Sequence, residues 1–528
     1  MFPKGVEIVG RKNTGFEEIL TPEAVAFVAE LAREFEEGRQ RLLEHRRQRR
    51  THIAAGERPT FPPETEGIRR SEWQVAPPPP DLQTRWVEIT GPTDRKMIIN
   101  ALNSGAQVFM ADFEDANVPT WSNLIEGQQN LREAVRRTIR YTAPDGRIYR
   151  LGERVATLVV RPRGLHLDEP RLRVDGRPVA GALFDLGLFL YHNAHALLEQ
   201  GSGPYLYLPK LEGYREARWW NQVCQAAEDR LGLPRGAVRV SVLIEHILAA
   251  FEMEEILYEL RERATALNLG RWDYIFSMSK VFAHDPAMVL PDRSRLTVPG
   301  TPFLRAAARR LVQVAHRRGA HAIGGMSAYI PRRDPEVNAR AFAEVEADKA
   351  WEVALGFDGA WVAHPGLVPL VEGIFRRNLE GPHQRHRIPD GEVTAEDLLE
   401  RPEGPITEEG LRQNVAVALQ YLGAWLAGRG AVAIFHRMED TATAEIARSQ
   451  IWQWRRHNAR LADGRPIDAA TYCRIREAEL EALQAAPPEA GARYEDAAAL
   501  LDALVLSETF VEFLTIPGMA MLHDGGEP

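Results

Sequence analysis

The sequence predicts an α/β chain built on a (β/α)8 barrel, with a helical clasp before the barrel and an all-α plug after it. Three observations predict this. Eight short β-prone runs between residues 87 and 362 alternate with helical stretches. The runs are apolar almost end to end instead of alternating, as strands of a parallel sheet covered by helices are. Polar residues collect directly after successive runs, where a barrel gathers its site from the C-terminal ends of different strands. The first two observations also fit a doubly wound sheet, and the third favours the barrel.

At 528 residues and 45% hydrophobic content, the chain exceeds what one growing core accommodates, so flanking units around a large domain are expected. Thr21-Pro22-Glu23 supplies a cap and a first-turn proline for a helix carrying Ala24, Val25, Val28 and Leu31. The tract Arg46-Arg47-Gln48-Arg49-Arg50 reads as a solvated face of that helix. Proline-rich stretches at 58–63 and 76–80 are extended, which sets the clasp at 1–85. The barrel runs follow: Val87–Thr90, Gln107–Ala111, Thr157–Val160, Tyr205–Leu208, Val238–Ile244, Tyr274–Phe276, Ala322–Gly325 and Gly359–Val362. The segment 141–188, with two Asp-Gly turns, reads as hairpins decorating a barrel that spans 86–385. Helical patterns near 407–425, 443–461, 467–485 and 493–515 fill a plug at 386–528.

Net charge is −9, from 74 acids and 65 bases, with no basic-aromatic alternation, which argues against a nucleic-acid partner. The two cysteines, Cys224 and Cys473, stand far apart in no metal-ligand spacing, as expected in a reducing cytoplasm. The N-terminus lacks a signal-peptide core and no run is long and apolar enough to span a membrane, so a cytoplasmic location and no membrane partner are expected. A monomer is the expected state.

Glu245 closes the fifth run and Asp273 stands at the start of the sixth. In a barrel these are neighbouring strands, and two carboxylates with open water positions suit Mg²⁺. The preceding Gly270-Arg271-Trp272 allows backbone N–H groups to approach an anion. Asp112, Glu114 and Asp115 crowd the end of the second run, where a cation relieves their repulsion and where they can orient metal-bound water. Arg161, held rigidly by Pro162, can meet a carboxylate or a developing oxyanion, and so can Arg163. Asp440 opens a plug helix. It reads either as an N-cap or as a carboxylate kept ionised for general-base work.

Several long segments together resemble the malate synthase family, in its shorter A-type class. These are Glu88–Met97, Met110–Asn117, Leu124–Gln128, Val160–Gly164, Leu267–Phe276, His364–Gly366 and Met438–Glu445. The resemblance implies condensation of acetyl-CoA with glyoxylate and hydrolysis to (S)-malate and CoA in the glyoxylate bypass. It implies Mg²⁺ as cofactor on Glu245 and Asp273, Asp440 as the base taking the acetyl methyl proton, and Arg161 as the stabiliser of the enolate oxygen. This chain departs from the family's usual pattern at His246, at Arg263–Gly270 and at His436-Arg437 without losing any of these four groups. The alternatives are a malyl-CoA or citramalyl-CoA lyase-like enzyme, a paralogue with another 2-oxo acid acceptor, and a non-catalytic CoA-binding scaffold. A lyase fits poorly with a long plug, and a scaffold with four retained groups.

Overall fold

The computed structural model describes residues 2–11, 13–332, 334–486 and 491–522. Its centre is a closed barrel of eight parallel strands in cyclic chain order. They are β1 (Val87–Pro92), β2 (Val108–Asp112), β3 (Thr157–Arg161), β4 (Tyr205–Leu208), β5 (Arg239–Ile244), β6 (Ala264–Leu269), β7 (His321–Ser327) and β8 (Gly359–Val362). Closure is made by β8 on β1, with Ala360 opposite Val87 and Val362 opposite Ile89.

Seven of the eight strands lie on the predicted runs. The sixth does not: Tyr274–Phe276 belongs to the helix α2 (Arg271–Val281), and β6 is the preceding Ala264–Leu269. Residues 273–281 of α2 are all buried, so this helix carries no polar stripe to betray its period. A short apolar run of β-prone residues is then indistinguishable from a strand. The correction places Asp273 in the first turn of a helix that begins directly after a barrel strand.

Met110, Val159, Tyr207, Leu243, Ile323 and Trp361 fill the barrel interior. Its N-terminal end is closed by a buried polar knot. Arg85 donates to Glu88 at 2.6 Å, to Ser241 at 3.0 Å and to Thr265 at 3.1 Å, while Tyr207 and Trp361 donate to Glu88 at 2.8 and 3.0 Å. Because every member has partners, the network fixes packing without stranding a charge.

The N-terminal helix α1 (Pro22–Ala54) begins as predicted, with the Thr21 hydroxyl accepting from Ala24 N at 3.2 Å. Its face of Val25, Val28, Leu31 and Phe35 packs on the barrel helices Gly181–Glu199 and Tyr214–Leu231. The basic tract is not simply solvated. Arg46 is buried and paired with Glu216 at 2.7 Å, Arg49 meets Glu252 at 2.9 Å and Arg50 meets Glu512 at 3.0 Å. These three arginines thus tie α1 to the barrel and to the C-terminal segment.

Segment 141–188 holds two hairpins, Arg140–Thr142 with Ile148–Arg150 and Asp168–Val174 with Arg177–Ala180. From residue 181 it is a long helix instead of a hairpin, apolar enough to be buried on most faces. In the C-terminal part, α3 (Glu408–Leu426) and α4 (Thr441–Arg456) pack together with the helices Ala469–Ala485 and Tyr494–Val505. Their core includes Leu411, Val415, Leu422, Trp425, Ile451 and Leu501. This helical unit is fastened to the barrel by α4. Trp454 donates to Leu290 O at 2.8 Å, Gln450 to Pro291 O at 2.7 Å and Gln453 to Met288 O at 3.0 Å. No helix among the described residues is long and apolar enough to cross a membrane.

Candidate active site

The C-terminal ends of β2, β3, β4 and β5, with the first turn of α2, converge on one buried acidic cluster. Asp115, Glu245 and Asp273 each offer a carboxylate oxygen, and these oxygens all lie within 4.8 Å of one another. Glu245 is oriented by the backbone N–H of Lys210, which donates to it at 2.6 Å. Gly270 makes the cluster sterically possible: a Cβ there would sit 2.7 Å from Glu245 Cβ and 3.1 Å from its Oε2. The glycine of the Gly-Arg-Trp-Asp segment therefore serves the close approach of Glu245. Its own N–H donates to Ile244 O at 3.2 Å, so it is not a free anion donor as expected from sequence. The amides of Arg271, Trp272 and Asp273 are first-turn groups with no intrahelical acceptor.

The Lys210 ammonium stands inside the cluster, 2.7 Å from Asp115, 2.9 Å from Asp273, 3.3 Å from Glu114 and 3.7 Å from Glu245. Sequence reasoning gave this lysine no role, although its place directly after β4 follows the same rule that singled out Glu245. Burial disfavours the ammonium, but Asp115, Asp273 and the other acids outweigh it and raise the Lys210 pKa well above its ordinary value. Burial also raises Asp115, yet Lys210 and Arg161 overcome it and hold Asp115 well below the usual carboxylate range. Glu114 and Asp273 are raised well above that range, by burial first; Lys210 opposes the shift in both, while Asp115 adds to it. One ammonium does not neutralise the cluster, and Asp273 Oδ1 is buried without a hydrogen-bond partner. An all-oxygen donor set short of positive charge, with an unsatisfied oxygen, fits a hard divalent cation.

Arg161 ends β3 and is buried beside the cluster. It forks onto Asp112 at 2.7 and 2.5 Å and leaves Nη1 at 3.4 Å from Asp115 and 3.5 Å from Glu114. Asp112 also accepts from the N–H groups of Glu114 and Ala116 at 2.8 and 2.7 Å. Its expected service to metal-bound water is thus corrected: Asp112 is the anchor that aims Arg161. Of the acidic triplet, only Asp115 joins Glu245 and Asp273 directly. Arg163 is structural, paired with Asp185 at 2.9 Å and Glu169 at 3.0 Å.

Asp440 arrives from the helical unit. A hairpin, Val432–Ile434 with Arg437–Glu439, turns through Phe435 and His436, both at positive φ (46° and 65°). The hairpin docks beyond β7, with Met438 N donating to Ala328 O at 2.8 Å and Ile330 N donating to His436 O at 2.9 Å. Asp440 then stands at the N-cap position of α4, but its side chain makes no cap hydrogen bond and Oδ1 is buried without a partner. The capping explanation therefore fails. Thr441 Oγ1, next in the chain, donates to the Asp115 carbonyl at 3.0 Å, and the Tyr421 hydroxyl lies 2.8 Å from Gly430 O and 2.9 Å from Thr441 Oγ1. These bonds seat Asp440 against the acidic cluster. Burial, then the charge of Asp115, pushes its carboxyl up to about 7.

Three family models cover most of this architecture: "Malate synthase, N-terminal domain" at residues 4–67, "Malate synthase, TIM barrel domain" at 157–401 and "Malate synthase, C-terminal" at 405–522. The chain belongs to the malate synthase family. A malate synthase from Myxococcus xanthus (strain DK1622) is 50% identical over 99% of this chain and 97% of that protein. One from Streptomyces clavuligerus is 50% identical over 96% of each chain, and malate synthase A of Escherichia coli (strain K12) is 45% identical over 96% of each. Malate synthases are acyltransferases, and Arg161, Lys210, Glu245, Asp273 and Asp440 lie in the barrel and C-terminal parts that these models match, whereas Asp112, Glu114 and Asp115 lie between the matched ranges.

Departures from the family's usual residues have local explanations. His246 caps the short helix after β5, with Nδ1 accepting from Leu248 N at 3.3 Å and Nε2 lying 3.4 Å from Glu212. Arg263 pairs with the buried Glu228 at 2.9 Å on the outer side of the barrel. His436 lies in the hairpin turn at positive φ, its carbonyl accepting from Ile330 N.

Proposed function

We propose that this chain joins acetyl-CoA to glyoxylate and hydrolyses the product to (S)-malate and CoA. The single observation that carries this reading is the Asp440 carboxylate, whose Oδ1 is buried without a hydrogen-bond partner, delivered by the helical unit to an acidic cluster built by the barrel. The chain is then a clasp at 1–85, a barrel at 86–385 and a plug at 386–528, with the site complete only when barrel and plug are docked.

Glu245 and Asp273, with Asp115 beside them, are the residues that would hold Mg²⁺; when bound, the ion supplies Lewis-acid polarisation of the glyoxylate carbonyl. The amides of Arg271 and Trp272 at the start of α2 face the glyoxylate carboxylate. Asp440 takes a proton from the acetyl methyl group. That proton is weakly acidic, so a base of pKa near neutrality, adjacent and shielded from water, is what the step needs. Arg161, fixed by its fork onto Asp112, meets the enolate oxygen with permanent positive charge that costs no reorganisation.

Two expected results follow from this assignment. In a thiol-release assay across several 2-oxo acids, glyoxylate is the fastest acceptor and malate the product. Faster turnover of a larger 2-oxo acid, or the malyl thioester of CoA as the main product, supports the paralogue or lyase alternative instead. Because Asp440 acts ionised and is raised to about 7, kcat/KM rises with pH, about tenfold per unit below that value, and levels above it. A pH profile already flat at about pH 5 contradicts Asp440 as the base.

A further inference from the structure

Beside Glu114, and sharing Asp115 and Lys210 with the acidic cluster, lies a small cavity of about 20 Å³ lined mostly by buried residues. That is room for one water. Four buried polar atoms without hydrogen-bond partners belong to its lining: Glu114 Oε1, Asn117 Nδ2, His166 Nδ1 and Thr515 Oγ1. Glu114, Asn117 and Thr515 are each less than a tenth exposed. The set is two acceptors, the carboxyl oxygen and the imidazole nitrogen, and two donors, the amide and the hydroxyl. One water donating two hydrogen bonds and accepting two satisfies all four.

The cavity is assembled from three places. Glu114 and Asn117 follow β2, His166 follows β3, and Thr515 comes from the C-terminal segment, whose Phe513 stacks on the His166 ring at 3.8 Å between centroids. It also adjoins the reaction centre. Thr441, next to Asp440, is part of its wall, and the other oxygen of Glu114 lies 3.3 Å from Lys210 and 3.5 Å from Arg161.

The proposed reaction has conflicting needs: the enolate must be kept from water, yet the thioester formed afterwards must be hydrolysed. A single water held in a seat of its own meets both. Resting on the synthase reading above, we infer that this cavity seats the water consumed in thioester hydrolysis and that His166 is its base. The water gives up one of the two hydrogen bonds it accepts, and the lone pair so freed adds to the thioester carbonyl carbon as its proton passes to His166 Nδ1. The C–S bond then breaks, and the CoA thiolate leaves with that proton, so that thioester and water become carboxylic acid and thiol. Burial foremost, then Arg46 and Lys210, keeps the imidazole well below its ordinary pKa, so the ring is neutral at pH 7.

Gly164 offers the sharpest test. A Cβ at this position would lie 2.9 Å from His166 Nδ1 and 3.4 Å from Glu114 Oε1, inside the water seat. Acid-quenched time courses of Gly164→Ala and His166→Phe, separated by liquid chromatography and mass spectrometry, are expected to show acetyl-CoA still consumed in a first turnover. Thiol release should be slower by about 10²-fold and the malyl thioester of CoA should accumulate. His166→Asn, which keeps a polar atom near the Nδ1 position, should recover part of the hydrolysis. Should Gly164→Ala not fold, His166→Phe, which retains the stack on Phe513, decides alone. Thiol release that keeps pace with acetyl-CoA consumption, or both steps slowed equally without thioester, overturns the inference. Failure of the underlying reading is distinguishable, because the wild-type protein then makes no malate.

Discussion

Asp440→Asn lowers thiol release from acetyl-CoA and glyoxylate by about 10²–10⁴-fold, the range expected for loss of a positioned general base. The substitution keeps the shape of the side chain, so the hairpin, the start of α4 and the contacts of Thr441 with Asp115 persist. Binding of glyoxylate in the presence of Mg²⁺ is therefore expected at wild-type strength by calorimetry, because none of the groups assigned to it is touched. The same variant gains stability. The folded-state pKa of Asp440 is raised from 3.8 to about 7, so the fold binds a proton that the unfolded chain has released between these values. Its favourable contribution is present at low pH and is lost as pH rises through about 7, where burying the carboxylate becomes a penalty. Asp440→Asn should thus melt higher than wild type on the alkaline side of this value, and the two should converge in acid. Full activity in the variant, or a lower melting temperature in alkaline buffer, contradicts the assignment.

Arg161→Met has the second largest effect, and it is twofold. Activity falls by about 10²–10³-fold in kcat, as when a preorganised oxyanion donor is removed. Stability falls by about 3–5 kcal/mol, because Asp112 is left buried without its cation. These losses separate in the double variant Asp112→Asn with Arg161→Met. Removing the stranded charge recovers part of the stability in denaturant unfolding, while activity stays low. Arg161→Lys should not rescue, since an ammonium cannot fork onto Asp112 and still present a third nitrogen toward the reacting oxygen. A folded Arg161→Met protein with wild-type kcat rules out the enolate role.

Much of the fold was legible because parallel barrel strands are apolar on both faces, and seven such runs were visible as they stand. The eighth was masked by its neighbour: Trp272, Tyr274, Ile275 and Phe276 are β-prone residues in a helix packed against α4 and α1, and burial along residues 273–281 erased the helical period. Within the site, Glu245, Arg161 and Asp115 were legible because each follows a strand. Asp112 was read correctly as close to the site but assigned the wrong partner, since which of three neighbouring acids faces an arginine depends on side-chain direction. The place of Lys210 among four carboxylates, the pairing of Gly270 with Glu245 and the joining of His166 to Thr515 depend on contacts between elements far apart in sequence. No local pattern encodes them.

If the barrel cluster and the plug carboxylate form one two-substrate site, thiol release requires the ion and both substrates together. The direct measurement is thiol release from acetyl-CoA by protein freed of metal with EDTA, then titrated with Mg²⁺ in the presence and absence of glyoxylate. The predicted result is no release without the ion, none without glyoxylate, and with both present one thiol for each malate formed. Thiol release that proceeds without glyoxylate, or that is unchanged in EDTA, would contradict it.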